Sequence, residues 1–199
     1  MPAPRSASRY TAVAITLHWV MAAGIIGLAV MGLVMTHTTL SPMRLFQLYQ
    51  LHKSIGITVL LAAFLRLAWR LAHRPPALPP GMPPREKMAA HGGHLLLYVM
   101  LFALPLSGWA LVSASVLNIP TVLYGLVPWP HLSFLAHLHD KAPIESLFTQ
   151  VHKYGAWALI GLVTVHAAAA LRHHLVLKDD TLTRMLPRPS LRPRRIVRG

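Results

Sequence analysis

Cysteine is absent from this 199-residue chain, and acidic side chains nearly so: five Asp and Glu stand against 19 Lys and Arg. The first absence excludes disulfides, thiolate-held iron–sulfur clusters and thioether attachment of a prosthetic group through C-x-x-C-H. The second leaves a formal net charge of +14. Charged residues of both signs make up only 12% of the chain, about half the share usual in a soluble domain. No G-x-G-x-x-G or P-loop pattern occurs, which argues against nucleotide binding within the chain.

What is present is apolar: 54% of the residues are hydrophobic and the mean hydropathy is +0.49. Four runs, about 11–36, 48–70, 92–116 and 148–172, each exceed the roughly 20 residues needed to cross a hydrocarbon layer. The expected fold is an all-α integral membrane protein, a four-helix transmembrane bundle over residues 1–189 with a basic, disordered tail at 190–199. The first run follows Arg5 and Arg9 but is too long for a signal sequence, and no small-residue cleavage site follows it. Fifteen of the 19 Lys and Arg, all but Arg44, Lys53, Lys141 and Lys153, fall on the side of the two termini. The positive-inside rule then puts both termini in the cytoplasm. Charge concentrated beside membrane spans points to anionic lipid as the partner and not to nucleic acid. The connections read as a short outer loop over 38–47, a proline-rich inner loop over 73–85 and a long outer loop over 117–147. In the last, His131, Leu132, Phe134, Leu135 and Leu138 suit a short interfacial helix. Pro105 is expected to kink the third span.

His152 and His166 lie fourteen residues apart on the fourth span. At 1.5 Å and 100° per residue, that places them roughly 21 Å apart along the axis and within roughly 40° of one face. One helix thus offers an imidazole near each membrane surface, as two haems stacked across a bilayer would require. Depth matching pairs His18 with His166 on the inner side and His52 with His152 on the outer side. Each pair can hold one iron between two nitrogens, and without cysteine such a haem must be b-type. A single intramembrane histidine is as readily a hydrogen-bonded packing residue. Four at matched depths are harder to explain that way, because ionisable groups in spans are costly.

The same interval recurs. Gly32 follows His18 by fourteen residues and Gly108 follows His94 by fourteen. Each shares its histidine's face at the opposite depth, where a missing side chain would admit a porphyrin or merely allow close helix packing. Arg66 follows His52 by fourteen, on the bundle side at the inner level, where a guanidinium suits a haem propionate; Arg70 suits snorkelling to lipid. His91, His94 and His173 would hydrogen-bond propionates, line a quinone pocket or serve as interfacial polar groups. His131, His137 and His139 either offer an outer metal site, with only Asp140 and Glu145 near to assist, or are ordinary loop and interface residues.

The segments Leu17-His18-Trp19, Leu51-His52-Lys53-Ser54-Ile55-Gly56, His91-Gly92-Gly93-His94-Leu95-Leu96-Leu97-Tyr98 and Val165-His166-Ala167 resemble the bacterial cytochrome b561 family. So does the closing run Arg172-His173-His174, Lys178 to Leu182 and Arg184-Met185-Leu186-Pro187. The resemblance implies two haems b on His18, His52, His152 and His166, and residence in the bacterial inner membrane. It also implies electron exchange with the quinone pool, ubiquinone as acceptor and, in one branch, periplasmic superoxide as donor. The competing reading is a haem-bearing anchor subunit fed by a periplasmic dehydrogenase or hydrogenase. A histidine-based metal transporter would carry no haem, and the lack of acidic residues inside the spans disfavours it.

Overall fold

The computed structural model describes residues 9–79 and 81–187. The tail expected to be disordered, 190–199, lies outside the described residues. Four long helices dominate: α1 (Ala12–His37), α2 (Pro42–Ala72), α3 (Pro84–Ala114) and, after a short α4 (Ser133–Ala136), α5 (Ala142–Leu175). All four long helices are long and apolar enough to cross a membrane. Their alternation gives the bundle a terminal end, where α1 starts and α5 finishes, and a loop end, where α4 sits.

The helices outrun the apolar stretches that mark them. α2 opens at Pro42, so the connection after α1 is only 38–41 and the expected loop over 38–47 is largely helix. α3 opens at Pro84 and α5 at Ala142, with a proline in the first turn of each. Proline there sacrifices an N–H that no helical carbonyl would have used, and its fixed φ starts the helix. Hydropathy reports the hydrocarbon layer, whereas the helix continues into the interface. α3 runs unbroken through Pro105.

α1 packs on α2, α2 on α3, and α3 on α5. Toward the terminal end the core is Met21, Val59, Ala63 and Leu101, with Ile25, Ile55 and Phe102 against it. At the loop end Ala110, Ala114 and Leu135 are buried beneath Leu132, Ile144 and Phe148. Small residues at the contacts bring backbones close, as expected where lipid removes the hydrophobic drive between helices. Two of them, Ser54 and Ser113, are fully buried and hold the long loop down. Ser54 Oγ accepts from Tyr124 N at 2.9 Å, and Ser113 Oγ accepts from Leu132 N at 2.9 Å.

That loop contains an antiparallel hairpin, β1 (Thr121–Leu123) with β2 (Val127–Trp129), which hydropathy alone did not reveal. Its turn has positive φ at Tyr124 (52°) and Gly125 (73°), closed by Leu126 N to Leu123 O at 2.9 Å. The hand matches the twist of paired strands. Tyr124 is held in this unfavourable region by its bond to Ser54 and by its hydroxyl, 2.7 Å from Thr58 Oγ1. The expected interfacial helix is the single turn α4.

At the terminal end the chain beyond α5 turns back over the bundle. Asp179 meets His173 Nδ1 at 2.6 Å, and Arg184 meets Asp180 at 2.8 Å and Ala77 O at 2.7 Å. Trp19 Nε1 donates to Met185 O at 2.7 Å, and Arg9 donates to Leu186 O. Residues 176–187 thus form a strap from α5 to α1.

Candidate functional site

At the loop end His52 on α2 faces His152 on α5, with ring centroids 6.3 Å apart and planes at 75°. His152 Nδ1 lies 3.2 Å from Leu104 O and 3.0 Å from Ser107 Oγ, whose own hydrogen goes to Leu104 O at 2.7 Å. The carbonyl can only accept, so Nδ1 carries the proton and Nε2 presents its lone pair. A metal-ligating histidine is oriented in the same way. Opposite it is Gly108, where a Cβ would come within 2.9 Å of His152 Cε1. Gly32 stands beside His52, with space for a Cβ at 4.0 Å from His52 Cε1. His52 Nδ1 is buried without a hydrogen-bond partner, a state rare for a polar atom unless something else occupies its lone pair or proton.

At the terminal end His18 on α1 faces His166 on α5, with centroids 6.2 Å apart and planes at 71°. A third ring joins them: His94 on α3, 5.5 Å from His166. Arg66 on α2 points its guanidinium here, with Nη2 3.3 Å from His18 Nδ1 and Nη1 3.4 Å from Ala14 O. Arginine can only donate, so here His18 Nδ1 accepts and Nε2 carries the proton. Ligation of iron through Nε2 requires that proton to move to Nδ1, which releases the Arg66 guanidinium for another partner.

The two pairs fit a haem iron. A metal–imidazole bond is about 2 Å, and the ring centre lies roughly 1 Å beyond the nitrogen, so two rings facing across one iron have centroids about 6 Å apart. The 6.2 and 6.3 Å separations match this spacing. The 5.5 Å between His94 and His166 is shorter. The absent side chain at Gly108 lets the His152 ring lie close against α3, and the unpartnered His52 nitrogen agrees with a bound group at the loop end.

Other residues named from the sequence fall differently. His91 is exposed and joins no cluster among the described residues. His173, which shares the face of His166 by its seven-residue offset, has its Nδ1 2.6 Å from Asp179 Oδ2. Arg70 lies with Cζ 5.6 Å from the Tyr98 ring centroid. No group of three or more His, Asp or Glu among the described residues is arranged to hold a metal ion. His137 Nδ1 is instead 2.8 Å from Ser133 O. Burial first, then the charges of Lys53 and Lys141, hold His131 below the usual imidazole pKa. Ser107 escaped the sequence reading; its only signal was its place one residue before Gly108.

Known proteins resemble this chain over most of its length. The model of the family described as "Prokaryotic cytochrome b561" matches residues 9–188. The "Cytochrome b561 homolog 2" of Escherichia coli (strain K12) is 32% identical over 182 residues, 92% of this chain and 93% of that protein. "Cytochrome b561 homolog 1" of the same strain is 33% identical over 141 residues, covering 69% of this chain and 73% of the relative. The "Probable superoxide oxidase CybB" of Yersinia pestis is 30% identical over 138 residues, 69% of this chain and 74% of its own length. With a family match over nearly the whole chain and four membrane-spanning helices, this multi-pass bacterial membrane protein belongs to the prokaryotic cytochrome b561 family of b-type haem electron carriers.

Proposed function

We propose that the protein carries single electrons through two haems b between a periplasmic donor and the membrane quinone pool, with superoxide as donor and ubiquinone as acceptor. The observation that carries this reading is the pair of histidine pairs, 6.2 and 6.3 Å across, at opposite ends of α5. Six-coordinate haem passes single electrons and leaves no open position for substrate. His52 and His152 would hold one haem, and His18 and His166 the other. Leu104 O and Ser107 would orient His152, and Arg66 would neutralise a propionate of the second haem. Their separation, roughly 21 Å along the helix, would span most of the bilayer. Both termini would be cytoplasmic, because the Lys and Arg excess lies at the terminal end.

Superoxide as donor is supported by charge at the loop end. Lys53 Nζ reaches Pro120 O at 3.2 Å and Lys141 Nζ reaches Asn118 Oδ1 at 3.0 Å. Lys53 directly follows His52, and Lys153, which follows His152, lies against the Tyr154 ring. An anion is drawn toward such a surface. One superoxide gives up one electron and leaves as dioxygen; two such electrons and two protons convert ubiquinone to ubiquinol. The test uses haem-loaded protein in liposomes holding ubiquinone, with superoxide generated outside. Ubiquinol should accumulate, and the rate should fall when Lys53 and Lys141 become Gln. Absence of ubiquinol formation, together with co-purification of a large redox subunit, would favour the anchor reading. The exposed Leu117, Leu126 and Phe134 of the outer loop would suit such a partner.

A further inference from the structure

Four arginines line one pocket at the terminal end. It holds about 480 Å³ including its mouth, between the start of α1 and the end of α2, and Arg9, Arg66, Arg70 and Arg74 share its wall. Trp69, stacked on His73 at 3.9 Å, forms its rim, and Ala14 and Leu17 give it an apolar side. None of the four guanidiniums meets a carboxylate among the described residues. Arg9 and Arg66 donate to backbone carbonyls, Arg66 also to His18, and Arg70 lies against Tyr98.

The chain has no side-chain carboxylate left to supply. Of its five acids, Glu86 pairs with Arg172, Asp179 with His173 and Asp180 with Arg184. Asp140 and Glu145 belong to the loop end, where Glu145 accepts from Val116 N. Segments 1–8 and 188–199 contain no Asp or Glu. Like charges crowded in a partly apolar pocket repel one another strongly at low dielectric. An anion from outside the chain would compensate this charge. Arg66, which touches His18, lies within reach of a haem propionate under the function proposed above. Arg70, in the last turn of α2, and Arg74, just past the helix end, remain.

We propose that Arg70 and Arg74 bind the phosphate of an anionic phospholipid headgroup. Trp69 and His73, stacked at the end of α2, suit the belt in which aromatic residues meet headgroups. Ala14 and Leu17 offer the apolar flank along which an acyl chain runs, which free phosphate would not use. Each arginine at the surface contributes about 1 kcal/mol toward an anionic lipid, or roughly fivefold in affinity.

The test is native mass spectrometry of the full, haem-loaded chain in neutral detergent, with equal phosphatidylglycerol or phosphatidylcholine added. Phosphatidylglycerol should be retained at least about tenfold better. Arg70→Gln/Arg74→Gln should remove that preference, while Arg85→Gln/Lys87→Gln, which lowers the net charge equally, should keep it. Arg74→Gln alone, at an exposed position, should lower retention about fivefold and guards against misfolding of the double variant. Inorganic phosphate should not displace the lipid. Equal loss in both double variants would overturn the site in favour of diffuse charge, and displacement by phosphate would overturn the lipid as ligand. Unchanged lipid retention with an altered haem spectrum would assign both arginines to propionates instead. Haem content, measured in parallel, separates failure of this site from failure of the haem reading.

Discussion

The two ends of the bundle hold histidine pairs of nearly equal span, 6.3 Å at the loop end and 6.2 Å at the terminal end, yet their neighbours differ. At the loop end the groups in contact with the His152 ring are neutral and fix shape: Leu104 O and Ser107 set the His152 proton, and Gly108 clears the opposite wall. At the terminal end the neighbours are ionisable: Arg66 donates to His18, and His94 crowds His166. The same ligand geometry can thus be built by steric and backbone constraint or surrounded by charge. The first favours a fixed imidazole; the second gives the protein a means of setting a potential.

The sharpest way to break this comparison is to remove one ligand at a time. His52→Ala or His152→Ala should abolish the loop-end haem, and His18→Ala or His166→Ala the terminal-end haem, each leaving about half the haem content with the other spectral component intact. If His94→Ala matched His166→Ala while His18→Ala did not, the terminal pair would be misassigned.

A smaller effect tests the steric half of the contrast. Gly108→Ala sets a Cβ 2.9 Å from His152 Cε1, so that ring must move. A shift of this kind costs on the order of 1–3 kcal/mol and should weaken haem retention at the loop end only. Gly32→Ala, with 4.0 Å to spare, should leave haem content unchanged. Equal effects at both positions would mean that the glycines serve helix packing and not the site.

The charged half responds to Arg66→Leu. Reduction adds one electron near this cation, so its loss should make reduction harder. A unit charge at about 10 Å in an effective dielectric of about 20 is worth about 1–2 kcal/mol, tens of millivolts for one electron. The terminal-end potential should fall by this order and the loop-end potential much less. Equal shifts in a redox titration would place Arg66 outside the site.

The smallest expected effect concerns the strap. Burial raises the Asp179 pKa, but hydrogen bonds from Thr181 and His173 outweigh it and hold the carboxyl below its usual value. Such a group stabilises the fold at pH above the unfolded value, about 3.9. That contribution is lost as pH falls through the lower folded value. Amide exchange in residues 179–186 should accelerate as pH falls below about 4 once the intrinsic pH dependence is removed. Asp179→Asn should show the faster rate at neutral pH.

Much of this contrast was legible in residue intervals. A fourteen-residue interval on a helix preserves face and exchanges depth, so His152, His166, Gly32, Gly108 and Arg66 could be placed in layers from the sequence. What escaped depends on contacts between elements. The approach of His94 to His166 needs the α3–α5 packing, and the orienting role of Ser107 needs the unused carbonyl of Leu104. His173 kept the helical face its spacing indicated, but Asp179, six residues on and beyond the helix end, captured its ring. The hairpin was hidden because β1 and β2 are three residues each, too short for an alternating pattern to stand out beside long apolar runs.

The central claim, two haem-binding layers in one chain, is tested most directly by pyridine haemochrome analysis of fully loaded, purified protein against its polypeptide concentration. The histidine geometry predicts about two haems b per chain. A reproducible value near one, or none, would contradict it.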